Sequence, residues 1–152
     1  MSSKGKSLIP QYNPKKLNTK SAYINSDAVK LDGWQKDGDE ANVFPSLRFV
    51  QYELQCFSEW SKVEMKSFWD FLEKLHGYTW HQIYAQARKD NKAGFGYTNI
   101  PLNNYPDSEF KDQIDPNLTI FELRVSEKAR VHCFRNRSVC YICWLDKNHQ
   151  YT

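Results

Sequence analysis

The stretch TIFELRVSEKARVHCFRNRSVCYICWL, residues 119–145, decides the fold. Its opening alternates: Phe121, Leu123 and Val125 fall on one side of an extended chain, Glu122 and Arg124 on the other. Successive side chains of a strand point to opposite faces, so this is the signature of a half-buried strand. In ARVHCF (129–134) Val131 and Cys133 take one side, and Arg130, His132 and Phe134 the other. RNRS (135–138) reads as a hairpin turn, and VCYICWL (139–145) is apolar on both sides, as a central strand is when both its faces are covered. Short connections make such neighbours antiparallel, so a three-stranded meander is predicted.

Upstream, residues 48–56 also alternate, with Val50, Tyr52, Leu54 and Cys56 opposed to Gln51, Glu53 and Gln55, which predicts a first strand. The period then lengthens. Ser61 and Glu64 have capping-box spacing, Val63, Phe68, Trp69, Phe71, Leu72 and Leu75 follow at helical intervals, and Gly77 stands where a left-handed stop is expected. Thr79 and Gln82 repeat the box for a second helix running to about Lys89, with Trp80, Ile83, Tyr84 and Ala87 as its apolar face. Trp60, Trp69 and Trp80 are expected in the core. Residues 90–117 form a long connection rich in Asn, Asp, Pro and Gly, with at most a short strand in GYTNIPL. Residues 1–44 read as a basic, polar arm without sustained period, carrying Leu8, Ile9, Tyr12, Tyr23, Ile24 and Trp34 as anchors against a domain at 45–152. The expected fold class is α+β, ordered β-α-α-β-β-β, with an antiparallel sheet and two helices packed on one face.

Composition excludes several classes. The 152 residues are 40% hydrophobic with 23 aromatic rings, enough for one core, while a mean hydropathy of −0.76 requires a wet surface. No run approaches the 18 apolar residues of a membrane span. The start, MSSKGKSLIPQYNPKK, has no apolar segment of the signal-peptide kind. Cys56, Cys133, Cys140 and Cys143 then read as reduced thiols in a cytoplasmic protein. The net charge of +3 conceals a local excess, since residues 1–26 hold five Lys and no acid. A polyanion is thus a permitted partner that the total does not demand.

The polar sides of the meander point to chemistry. Residues two apart on a strand project together, so Glu122 pairs with Arg124, Arg130 pairs with His132, and a tight connection at 126–129 brings the pairs within reach. His149 and Tyr151 stand at the rim of the same face. A carboxylate, two guanidiniums, two imidazoles and a phenol suit RNA cleavage by its own 2′-OH. That reaction needs a base, an acid, and fixed cations for the charge developing on phosphorus. No metal or other cofactor is required.

The segment FELRVSEKARVHCFRNRSVCYICWLDKNHQY (121–151), with the predicted element order before it, resembles the RelE/ParE toxin superfamily. The resemblance spans about residues 47–151. It implies a RelE-like fold and, after the RelE- and YoeB-like members, metal-independent cleavage of mRNA at the ribosome, with an antitoxin protein as a partner. Arg130 matches the phosphate-contacting Arg that opens the second meander strand. Arg124 and Glu122 match alternating polar positions of the strand before it, and His149 and Tyr151 match the C-terminal His/Tyr position. On this reading Arg130 and Arg124 hold the scissile phosphate and Glu122 or His149 is the base. His149 or Tyr151 is the acid or a base-stacking group, and His132, Lys128, Arg135 and Arg137 contact RNA. Glu122 departs from the family's basic residue, the 90–117 connection is longer than usual, and the arm is not a family feature.

Plainer readings stand beside these. Arg124 and Arg130 also fit cross-strand ion pairs with Glu122 and Glu127. A non-catalytic interaction protein on the same scaffold, such as a ParE-like gyrase inhibitor or a defence-related binding module, is the alternative function. Cys140-x-x-Cys143, with His132, Cys133 and His149, invites zinc. Residues three apart in a strand project from opposite faces, so the cysteines are read as small core residues.

Overall fold

A computed structural model describes residues 38–53, 55–87 and 94–151. Residues 1–37 of the expected arm and the predicted helix end at 88–89 lie outside them. The elements are β1 (Phe44–Ser46), α1 (Lys62–His76), α2 (Trp80–Gln86), β2 (Thr98–Asn99), α3 (Glu109–Asp112), β3 (Phe121–Arg124), β4 (Arg130–Asn136) and β5 (Val139–Asp146). They build an α+β domain on a five-stranded sheet of order β1-β5-β4-β3-β2. The β3-β4-β5 meander is antiparallel, and β2 extends it in the same sense. β1 pairs parallel with β5, so the sheet is mixed where the sequence predicted antiparallel pairing throughout.

That difference traces to the first strand. Residues 48–56 alternate, but the described ones among them form no strand: a turn follows Ser46, Val50 N–H donates to Leu47 O, and Gln55 has a positive φ of 48°. The free edge of β5 is taken instead by Phe44–Ser46, with Pro45 at the outermost strand, where a missing N–H is tolerated. Ala41 and Val43, just before it, are fully buried.

The helices cover one face. Phe68, Phe71 and Leu75 from α1 and Trp80 and Ile83 from α2 pack on Phe121, Leu123, Val131, Cys133, Cys140, Ile142 and Leu145. Both helices start as their sequences specify. Ser61 Oγ accepts Glu64 N–H while Glu64 returns the bond to Ser61 N–H, and Thr79 and Gln82 do the same. Ser61→Ala is expected to cost about 1 kcal/mol, read as a lower urea midpoint with unchanged slope. Gly77 is not a left-handed stop: its φ is −82°, its N–H returns to the carbonyls of Lys74 and Leu75, and Thr79 caps α2 two residues later. Trp69 and Val63 are exposed at 60% and 77%, since α1 turns only the 68-71-75 stripe inward. Trp69 Nε1–H donates to Glu73.

The second face is not left open. The connection predicted as irregular carries a 3-10 turn at Leu102–Asn104 and the four-residue α3, and folds over this face. Ile100, Tyr105, Ile120, Cys143 and Trp144 form a second core there, joined by Phe49, Phe110 and Phe134, with the Tyr105 and Trp144 rings stacked 4.3 Å apart. Among the described residues no helix is long and apolar enough to cross a membrane.

Candidate functional site

Registry on this second face brings the predicted polar residues together. Glu122 lies opposite His132, and Arg124 opposite Arg130. His132 lies opposite Trp144, and Arg130 opposite Asp146. The contacts run along the diagonals, which long side chains can span. Glu122 Oε2 lies 3.2 Å from Arg130 Nε, and His132 Nε2 lies 2.8 Å from Asp146 Oδ2.

A bulge makes the second diagonal. Val131 pairs with Leu145 and His132 with Trp144, but Cys133 pairs with Ile142, so Cys143 is an extra residue. Strict alternation from Cys140 would send Trp144 and Asp146 to the helix side. The extra residue sends Leu145 there instead and turns Asp146 toward His132. The carbonyl of Cys143 is taken by Gln51 N–H at 2.7 Å.

His149 arrives from beyond β5. Its Nε2 stands 3.3 Å from Glu122 Oε2, the same oxygen that meets Arg130. Exposure is graded across the group: the His149 side chain is 35% exposed, Arg130 12% and Glu122 4%. Glu122 is the floor and His149 the surface. Arg130 is further fixed by Nη1–H, which donates to the carbonyls of Ser126, Glu127 and Ala129 in the β3–β4 turn; Nη2 takes no part in these bonds. Burial lowers its pKa, and the Glu122 charge offsets only part of that. Arg124 Nη1–H donates to Gly94 O, and Gly96, at φ +60°, leaves room for Arg124 Nη2, which a Cβ there would meet at 2.9 Å. Beyond Arg124 a cleft of about 770 Å³ opens between α1 and the end of β3, with Lys74, Phe95, Ser126 and Glu127 among its walls.

Behind this group lies a buried relay. Tyr105 Oη and His132 Nδ1 are 2.7 Å apart, and His132 Nε2 meets Asp146. Burial raises the Tyr105 pKa, so the residue stays a phenol. A carboxylate can only accept, so His132 Nε2–H donates to Asp146 Oδ2, and the protonation of the imidazole sets the direction of the Tyr105–Nδ1 bond. Burial alone would raise the Asp146 pKa, but His132 and the N–H groups of Gln150 and Tyr151 outweigh it and hold the carboxyl below its ordinary value. Tyr151 is half-buried against the Tyr105 and His132 rings, and burial raises its pKa.

Several predicted RNA contacts are placed elsewhere. His132 is fully buried, and an RNA contact requires an exposed ring. Arg135 lies on the helix side, over Trp80 at 4.4 Å and bonded to Asp39 and Tyr84; with Arg137 it stands at the far end of β4, roughly 17 Å of strand from Arg130. Lys128 is exposed on the β3–β4 turn, beside the group. Cys140 belongs to the helix-side core and Cys143 to the opposite one. Among the described residues no three His, Cys, Asp or Glu are disposed to hold a metal ion. Sequence reasoning gave Tyr105, Asp146 and Gln55 no role of their own; it noted Asp146 only as a neighbour of His149 and Tyr151 at a strand end. No protein-family model matches the chain, and no curated protein or solved structure matches it significantly.

Proposed function

We propose that this protein is a metal-independent endoribonuclease of the RelE-like kind, cleaving RNA through attack of its own 2′-OH. The observation that carries the reading is one buried carboxylate oxygen, Glu122 Oε2, approached by both Arg130 Nε and a partly exposed His149 Nε2. These groups supply what 2′-OH attack requires. Glu122 takes the 2′ proton as O2′ bonds to phosphorus. Arg130 faces the charge that builds on the non-bridging oxygens. His149 gives its proton to O5′ as the P–O5′ bond breaks, leaving a 2′,3′-cyclic phosphate and a 5′-hydroxyl. The raised pKa of Tyr151 makes its phenol a poor proton donor and favours His149 as the acid, with Glu122 as the base. In the free protein His149 lies across Glu122; a phosphate that draws the imidazolium to itself uncovers the carboxylate. The cleft beyond Arg124 gives a neighbouring nucleotide room beside Lys74.

The test is an RNA oligonucleotide incubated with excess chelator, alongside the same strand carrying one 2′-deoxy position. Cleavage is expected to end in a cyclic phosphate and to vanish at the deoxy position. Cleavage there, or ends of another kind, would rule out the reading. A second reading, a non-catalytic interaction protein, draws on the exposed Trp69 and Val63 of α1. It predicts partner binding with no cleavage at all.

A further inference from the structure

We propose that Gln55 is a positioning residue for His149: it clamps the C-terminal turn from the far side of the chain, while Asp146 clamps it from within. The link to catalysis rests on the nuclease reading; the clamp itself does not.

Residues 148–150 are all exposed, so this turn lies at the surface. The protein nevertheless claims four backbone N–H groups in succession. Asn148 N–H donates to Gln55 Oε1 at 3.2 Å, and His149 N–H to Asp146 O at 3.2 Å. Gln150 N–H donates to Asp146 Oδ1 at 2.6 Å, and Tyr151 N–H to Asp146 Oδ2 at 3.2 Å. Gln55 closes the ring with its other amide atom, since Nε2–H donates to Gln150 Oε1 at 2.6 Å. One side chain thus holds the residue before His149 and the residue after it. Ordering an exposed segment costs about 1–2 kcal/mol per residue, and these bonds offset that cost between buried Asp146 and half-buried Tyr151.

Backbone strain falls on the same two residues. Among the described residues three non-glycines have positive φ: Arg137 in the hairpin turn, Gln55 at 48° and His149 at 57°. Strain of this kind persists where the surroundings over-determine it, and it collects at working sites. Gln55 is held by its own neighbours, because its carbonyl accepts the Trp60 indole N–H at 2.9 Å and Trp60 is buried against Phe57 and Phe68. The clamp is therefore anchored in the helix-side core and reaches across 93 positions of sequence to Asn148.

The experiment compares the full-length protein with Gln55→Ala and Gln55→Glu, the latter keeping the acceptor for Asn148. Backbone ¹⁵N relaxation reads the turn, and kcat and KM on an RNA oligonucleotide read the site. In Gln55→Ala, order parameters at 148–150 are expected to fall below about 0.6. There kcat is expected to fall about 10–100-fold, the scale of an ångström's misplacement, with KM within about threefold. Gln55→Glu should recover part of both. A Gln55→Ala turn as rigid as the wild type overturns the clamp. A loosened turn with unchanged kcat overturns the positioning role. If the wild type cleaves no RNA, the nuclease reading falls alone, and relaxation still decides the clamp.

Discussion

Glu122→Gln is expected to reduce RNA cleavage by about 10²–10⁴-fold, the usual worth of a positioned general base. Glutamine keeps the shape of the side chain and an acceptor for Arg130, but it cannot take the 2′ proton. His149→Ala should cost a similar factor by removing the acid, and its partial exposure predicts little change in Tm. Arg130→Lys should cost about 10²–10³-fold. Lysine keeps the charge but loses the planar fork, whose Nη1 is spent on three carbonyls and whose Nε is aimed at Glu122. Initial rates on one oligonucleotide, with urea melts to confirm folding, provide the check. Undiminished cleavage by both Glu122→Gln and His149→Ala would end the proposal.

Asp146→Ala is expected to be the most damaging single polar substitution, at about 3–5 kcal/mol, because it strips a partner from a fully buried charged network. It orphans His132 Nε2–H and the N–H groups of Gln150 and Tyr151 together. Asp146→Asn keeps the shape and one acceptor and should cost less. The pH dependence has a definite sign. The Asp146 carboxyl is held below its ordinary value in the folded protein, so the unfolded chain binds the proton more readily. Its contribution is complete above the ordinary aspartate value near pH 4 and is lost as pH falls through the folded value. The stability gap between wild type and Asp146→Asn, from urea melts, should therefore be wide at pH 7 and shrink below about pH 4. A gap independent of pH would show that the carboxylate charge contributes nothing.

The members of the group that lie on the meander were legible because parity is a local property. Glu122, Arg124 and Arg130 share a side of the meander as a consequence of strand geometry, whatever the rest of the chain does. His149 was legible only by its position at a strand end, since nothing in the sequence places an imidazole over a carboxylate 27 positions earlier. Residues 48–56 misled for the same physical reason that makes alternation informative. An alternating run has one wet side and one dry side whether or not a partner strand is available, and here β1 already occupied that edge.

The sequence by itself determined the meander, both capped helices and the outward parity of Glu122 and Arg130, because each depends on neighbours within a few residues. Only the tertiary structure decided the parallel seating of β1, the folding of 100–118 over the second face, and the turn of Asp146 toward His132. VCYICWLD is apolar on both sides until its last residue, so nothing along the strand marks where its parity resets. The bulge at Cys143 sets that point, and what stabilises it is packing and a hydrogen bond from Gln51, more than ninety residues away.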